Sequence, residues 1–174
     1  VLVQWLRVLK LMSRTFDILT IIFLLPIFIL LCILIYFLLF VETKGSVIYW
    51  SKRVGINNNT FFMPKFRTMK LQTPQLATHL LESPDLYVTF FGKFLRKYSL
   101  DEIPQIYSVL VGNMSLIGPR PALYNQDDLI KMRKKHGIDK MLPGITGWAQ
   151  VNGRDELTLE KKVEYEIYYL QNKS

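Results

Sequence analysis

The sequence predicts a small, membrane-associated domain of the α+β class, mainly helical, and three observations predict it. First, the 24 positions from Ile18 to Val41 carry no charge. As a helix this run is about 36 Å long, enough for a hydrocarbon core of roughly 30 Å. Second, a turn-rich stretch, Gly55-Ile56-Asn57-Asn58-Asn59-Thr60, lies between the strand-forming runs Val47-Ile48-Tyr49-Trp50 and Phe61-Phe62-Met63, which gives one short β-hairpin. Third, apolar residues elsewhere recur at helical spacing, giving several short amphipathic helices suited to an interface. Residues 1–44 then form an amphipathic lead-in and a membrane helix, and residues 45–174 a domain outside the bilayer.

At the N-terminus Trp5, Leu9, Met12 and Phe16 share one helical stripe, and Arg7, Lys10 and Arg14 occupy another. That pattern fits a helix at headgroup level, or simply the basic first turns of the membrane helix. The apolar run is too long for a signal peptide and no small-residue cleavage site follows it. Pro26 removes a backbone hydrogen bond and favours a kink. Cations flank both ends, with Arg7, Lys10 and Arg14 before and Lys44, Lys52 and Arg53 after. The positive-inside tendency favours both flanks on one side, so the run reads as a re-entrant helix hairpin bent at Pro26. A single-pass helix with a tolerated proline is the alternative.

Beyond the hairpin, Lys65-Phe66-Arg67-Thr68-Met69 mixes cations with apolar anchors, and Leu71 to Leu86 reads as a polar, proline-interrupted connection. Phe90, Phe94 and Leu95 mark a short amphipathic helix. Ile103, Ile106, Tyr107 and Leu110 mark another, stopped by Gly112. Asp127 to His136 reads as a charged, exposed helix, and Pro143 to Arg154 as a glycine-rich loop. Leu159, Val163, Ile167 and Leu170 face one side of a last helix.

A formal net charge of +8 points to anionic partners. The one cysteine, Cys32, lies inside the apolar run and excludes an internal disulfide. His79 and His136, far apart and without a cysteine cluster, argue against a structural zinc site. A metal here is a hard one held by oxygen, with Mg²⁺ first.

Against that basic background stands Asp101-Glu102. A carboxylate can attack phosphorus or hold a divalent metal. Ser99-Leu100-Asp101-Glu102 also fits a capping box, the purely structural reading. Pro104 argues for a helix that begins close to it. The two acids then sit at a loop–helix junction beside free backbone N–H groups. Arg120, between Pro119 and Pro121, has little backbone freedom, which suits an arginine aimed at an anion or a rigid turn with a solvated side chain. In the loop from Pro143 to Arg154, glycines allow close approach to a ligand, while Trp148 can stack on a base or fill a core.

Taken together, Gly45-Ser46-Val47-Ile48, Arg53-Val54-Gly55, Lys65-Phe66-Arg67-Thr68-Met69, Ser99-Leu100-Asp101-Glu102, the run Gly112 to Pro121 and the loop Pro143 to Arg154 resemble the bacterial sugar transferases, the monotopic phosphoglycosyl transferases. The match runs from about Asp17 to the end of the chain, in the family's order. The resemblance implies transfer of a sugar-1-phosphate from a UDP-sugar to undecaprenyl phosphate or a similar polyprenyl phosphate, with release of UMP. That is a first membrane step of glycoconjugate assembly, of the O-antigen, capsule, exopolysaccharide or glycoprotein type. It implies Asp101 as nucleophile of a covalent phospho-sugar intermediate, Glu102 as its partner, and Mg²⁺ held by both. Phosphate contacts fall to Arg67, Arg96, Arg120 and Arg154, because guanidinium forks match phosphate oxygens. The nucleotide and sugar contacts fall to Pro143, Gly144, Gly147, Trp148, Gln150 and Asn152.

The resemblance also implies the membrane bend at Pro26, with the catalytic domain, residues 45–174, on the cytoplasmic face of a bacterial inner membrane. Partners are then the UDP-sugar donor, the polyprenyl phosphate acceptor and membrane lipids; nucleic acid is not among them, and a homo-oligomer is compatible with the sequence. Two departures stand out. Family members usually carry Ser-Pro at the bend, where this chain has Leu25-Pro26, about one helical turn early. Relatives usually continue beyond the position of Ser174, which allows for a truncated product with weaker membrane docking. A membrane-anchored anion-binding protein without catalysis would explain the charge but leave the acid pair without a role, and a phosphohydrolase would need no lipid acceptor.

Overall fold

The computed structural model describes residues 2–43, 45–71, 73 and 84–172. Most of the connection expected between Leu71 and Leu86 lies outside them, as do Lys44 and the side chains of Trp5, Arg7, Leu9 and Lys10. The chain is mainly helical, with a short antiparallel strand pair, as expected. A second, parallel pair was not anticipated.

The helix α1 runs from Leu2 to Thr43 with Pro26 inside it. Its stretch Met12–Thr43 is long and apolar enough to cross a membrane. Most of its large side chains are exposed, Phe23 at 82%. Contacts divide the chain into two compact units, and α1 contributes to each. One comprises Leu24–Ser51 and Met63–Tyr107; the other comprises Val1–Phe23, Lys52–Phe62 and Ser108–Ser174.

The strands β1 (Ile48–Val54) and β2 (Thr60–Phe66) form the expected hairpin, longer on both arms than the aromatic runs alone suggested. Asn57 and Asn58 take positive φ at its tip, 55° and 59°, a conformation asparagine tolerates better than most residues. The turn closes with Gly55 N donating to the Asn59 carbonyl at 2.7 Å.

In the first unit Ile35 and Leu39, one helical turn apart, join Val47, Phe66 and Leu95 as a buried core, with Phe91, Leu100 and Ile103 packed on it. The helix α2 (Pro84–Tyr87) leads to α3 (Phe90–Lys97). Thr89 caps α3, its Oγ1 accepting from Gly92 N at 3.1 Å, and Glu42 at the end of α1 accepts from the free N–H groups of Phe90 and Phe91, where a carboxylate suits the helix dipole. Gly92 is needed here, since a Cβ would stand 2.3 Å from the Thr68 carbonyl oxygen. Of the apolar residues that mark α3 only Leu95 is buried; Phe90 and Phe94 face outward.

In the second unit α4 (Ile106–Leu110), which starts in the first, ends at Gly112, whose φ of +88° makes it the expected stop. The strand β3 (Ser115–Ile117) follows, and then α5 (Asp127–Lys135), with acids in its first turn and cations in its last. The stretch expected as a glycine-rich loop instead carries regular structure. It holds the strand β4 (Gly144–Thr146) and the helix α6 (Trp148–Val151). β4 pairs parallel with β3, Ser115 opposite Gly144 and Ile117 opposite Thr146. Parallel strands need a crossover, and the segment carrying α5 provides it. The last helix, α7 (Leu159–Asn172), buries the expected stripe: Val163 joins Ala122, Leu129 and Ile138 in the core, with Leu159, Ile167 and Leu170 against it.

Candidate active site

Asp101 and Glu102 open a 3₁₀ turn, Leu100–Gln105, that contains Pro104 and passes directly into α4. Pro104 has no N–H to give, and the tighter turn accommodates it. The junction expected from the sequence is therefore present, and the capping box is not. Ser99 sits in the left-handed region at φ 56° and its side chain makes no cap bond.

Asp101 is buried, with 9% of its surface exposed. Burial pushes its carboxyl above the ordinary value of 3.8, the neighbouring Glu102 pushes the same way, and Lys65 and Arg96 oppose them. Lys65 Nζ lies 3.0 Å from Glu102 Oε1 in a largely buried ion pair. Arg96 is held from behind, its Nε donating to the buried Thr68 Oγ1 at 2.8 Å. Thr68 is itself fixed, its carbonyl accepting from Thr89 N at 3.0 Å. Two acids and two cations thus converge on one small region, set on elements braced by side-chain and backbone bonds. Such a region can receive an anion and attack it with a carboxylate.

Arg67 is placed differently. Its Nε donates to the Ser46 carbonyl at 2.7 Å, and its guanidinium lies 5.6 Å from the centre of the Tyr49 ring. Lys65, which sequence reasoning passed over in favour of arginines, is the cation that meets Glu102. The signal was alternation at the end of β2: Phe66 is buried, and Lys65 and Arg67 on either side of it are not.

The remaining predicted residues belong to the second unit. Gly118, Gly144 and Gly147 pack backbone against backbone: a Cβ on Gly144 would fall 2.1 Å from Gly118 N, and one on Gly147 would fall 2.1 Å from Gly118 O. Pro143 is buried, and its carbonyl accepts from Ser115 N. Arg120 is half-buried, its own carbonyl taking a bond from Arg133. Trp148 is 42% exposed and stacks on Tyr168, ring centres 5.5 Å apart, so it is neither core nor isolated. Asn152 Nδ2 bonds the Trp148 carbonyl and Gln150 Nε2 the Ile145 carbonyl, local contacts that order the segment. Arg154 is exposed and holds φ at +54°. Sequence reasoning missed Arg133 and Glu166, a buried ion pair with Nε 2.8 Å from Oε2 and Nη2 2.5 Å from Oε1.

Residues 8–174 match the family described as bacterial sugar transferase. The uncharacterized sugar transferase EpsL of Bacillus subtilis (strain 168) is 36% identical over 168 residues, 92% of this chain and 78% of EpsL. The UDP-glucose:undecaprenyl-phosphate glucose-1-phosphate transferase of Xanthomonas campestris pv. campestris is 39% identical over 142 residues, 75% of this chain and 28% of that protein. The UDP-N-acetylgalactosamine-undecaprenyl-phosphate N-acetylgalactosaminephosphotransferase of Aeromonas hydrophila is 35% identical over 165 residues, 92% of this chain and 39% of that protein. The chain thus spans most of EpsL but well under half of the two relatives whose names state a reaction.

Proposed function

The chain belongs to the bacterial sugar transferase family, and from that membership we propose that it moves a sugar-1-phosphate from a UDP-sugar to a polyprenyl phosphate, releasing UMP. The observation that carries this reading is the buried Asp101 with Glu102, Lys65 and Arg96 around it. The names of the Xanthomonas and Aeromonas relatives support the donor and acceptor classes. They differ in the sugar.

In the proposed mechanism an Asp101 carboxylate oxygen attacks the sugar-bearing phosphorus. An O–P bond forms, the phosphoanhydride bond breaks, and its electron pair leaves with UMP. An oxygen of polyprenyl phosphate then attacks the phospho-aspartyl phosphorus, giving the polyprenyl-diphosphate-sugar and returning the carboxylate. Splitting the transfer means donor and lipid need not be bound together. Arg96 and Lys65 offset the charge that builds as an anion meets an anion. Two adjacent carboxylates suit Mg²⁺, which completes its shell with water and substrate phosphates; among the described residues no group of three His, Cys, Asp or Glu forms an all-protein cage. Asp101 and Glu102 would hold the ion, whose contribution when bound is to neutralise the diphosphate. Arg67, Arg120 and Arg154 are proposed as further phosphate contacts, and Trp148 with the β4–α6 segment as the nucleotide side.

A panel of UDP-sugars with undecaprenyl phosphate, scored by UMP release and lipid-linked product, tests the reading. Release of free sugar phosphate without lipid would sink it. Lys65→Met removes a cation that lowers the Asp101 pKa, so the acid limb of activity moves to higher pH, and the rate at neutral pH falls about a hundredfold. An unmoved limb would remove Lys65 from the mechanism.

Residues 1–44 are proposed as the membrane part, bent at Pro26, with residues 45–174 on the cytoplasmic side of the inner membrane. Both flanks then react from one face. In a Cys32→Ala background, Met12→Cys and Ser46→Cys are both labelled by an impermeant maleimide from the cytoplasmic side only. Labelling from opposite sides would replace the bend by a single crossing.

A further inference from the structure

From Pro119 to Ala122 the chain has four consecutive carbonyls, and each accepts a hydrogen bond from a different donor. Pro119 O takes Gly144 N at 2.9 Å, and Ala122 O takes Val54 N at 2.9 Å. Pro121 O takes Arg53 Nη1 at 3.2 Å. Arg120 O takes Arg133 Nη2 at 2.8 Å. Two of these residues are prolines, which have no N–H, so carbonyls are the main handles by which this backbone can be gripped. Every one is gripped. The donor that holds Arg120 itself is also the most constrained. Arg133 is 8% exposed, and its guanidinium is engaged on two nitrogens by Glu166, which is 2% exposed.

A buried ion pair of this kind is a poor source of net stability, because desolvation offsets most of the attraction. What it does supply is direction. Glu166 fixes the plane of the Arg133 fork, and the fork leaves one N–H aimed at the Arg120 carbonyl. With φ limited at Pro119 and Pro121 and the carbonyl between them tied, the Arg120 Cα–Cβ bond has one orientation.

We propose that Arg133 and Glu166 are positioning residues that aim the Arg120 guanidinium at a phosphate of the nucleotide donor. The inference rests on the phosphate role given to Arg120 under the proposed function. It assigns to α5 and α7 a task in donor binding, although neither residue touches the ligand.

The test is a double-mutant cycle read by calorimetric binding of UDP to the full chain in detergent or nanodiscs. Arg120→Ala weakens UDP about tenfold, the worth of one charge-assisted bond. Arg133→Lys keeps the charge but cannot serve Glu166 in fork geometry and the Arg120 carbonyl together, so it weakens UDP several-fold. The same substitution in the Arg120→Ala background has no further effect, because the residue it positions is gone. Glu166→Gln, which preserves shape, follows the same pattern and provides a second route should Arg133→Lys fold poorly. Additive losses would overturn the positioning role while leaving Arg120 in place. A UDP affinity unmoved by Arg120→Ala would overturn Arg120 as a phosphate ligand and this inference with it.

Discussion

Asp101→Asn is expected to remove UMP release by at least about a thousandfold, because an amide cannot form the covalent phospho-sugar species and the adjacent Glu102 carboxylate is held in its ion pair with Lys65. Incubation with a donor labelled in the sugar should label the parent chain at Asp101 and leave the variant unlabelled. Burial raises the Asp101 pKa above its ordinary value, so the folded state disfavours the carboxylate and favours the protonated acid. The cost of holding a charge there is absent at low pH and sets in as pH rises through the unfolded and then the folded pKa. At pH 8 the variant should therefore melt no lower than the parent, and the difference should shrink as the buffer is acidified. Loss of activity with a lower melting point at pH 8 would mean damage to the fold rather than loss of the nucleophile. UMP release near the parent rate would end the assignment outright.

Gly144→Ala should be the most damaging small substitution in the second unit. A methyl at Gly144 would stand 2.1 Å from Gly118 N and 2.6 Å from Gly118 Cα, both backbone atoms that no rotamer change can move. The β3–β4 pair must spread, and with it go the bonds from Gly144 N to Pro119 O and from Gly118 N to Thr146 O. A loss of about 3 kcal/mol is expected, or a melting point roughly 10 °C lower. Gly137→Ala is the control. Gly137 has φ +73° and open space around the missing Cβ, so only backbone strain of about 1 kcal/mol applies. Equal effects at the two positions would mean that steric exclusion between β3 and β4 is not what holds that region.

What could be read from the sequence was local. The α7 stripe repeats every three or four residues and announces its buried face. The asparagine-rich turn sits directly between its two strands, and Gly112 ends α4 by its own conformational freedom. The acid pair drew notice because it breaks a basic stretch. The pairing of β3 with β4 was hidden, since each strand has three residues and the partners lie across a crossover. Periodicity has no purchase on so short a run. Arg133 looked like an ordinary charge on an exposed helix and Glu166 like one beside the apolar stripe of the last helix, and only the packing of α5 against α7 turns them inward. Lys65 was undervalued for a chemical reason: guanidinium was preferred for phosphate, whereas the carboxylate of Glu102 needed only a compact ammonium within reach.

The 3₁₀ turn Leu100–Gln105 sets Asp101 and Glu102 apart around its axis. With three residues per turn, neighbouring side chains leave the axis about 120° apart, so the two acids meet distinct surroundings despite being adjacent. The shorter one occupies the drier niche and the longer one spans the gap to an ammonium. Reversing the two letters would keep composition, charge and spacing intact, yet it would crowd the niche and leave the gap unbridged. At this point of the chain, word order carries the chemistry.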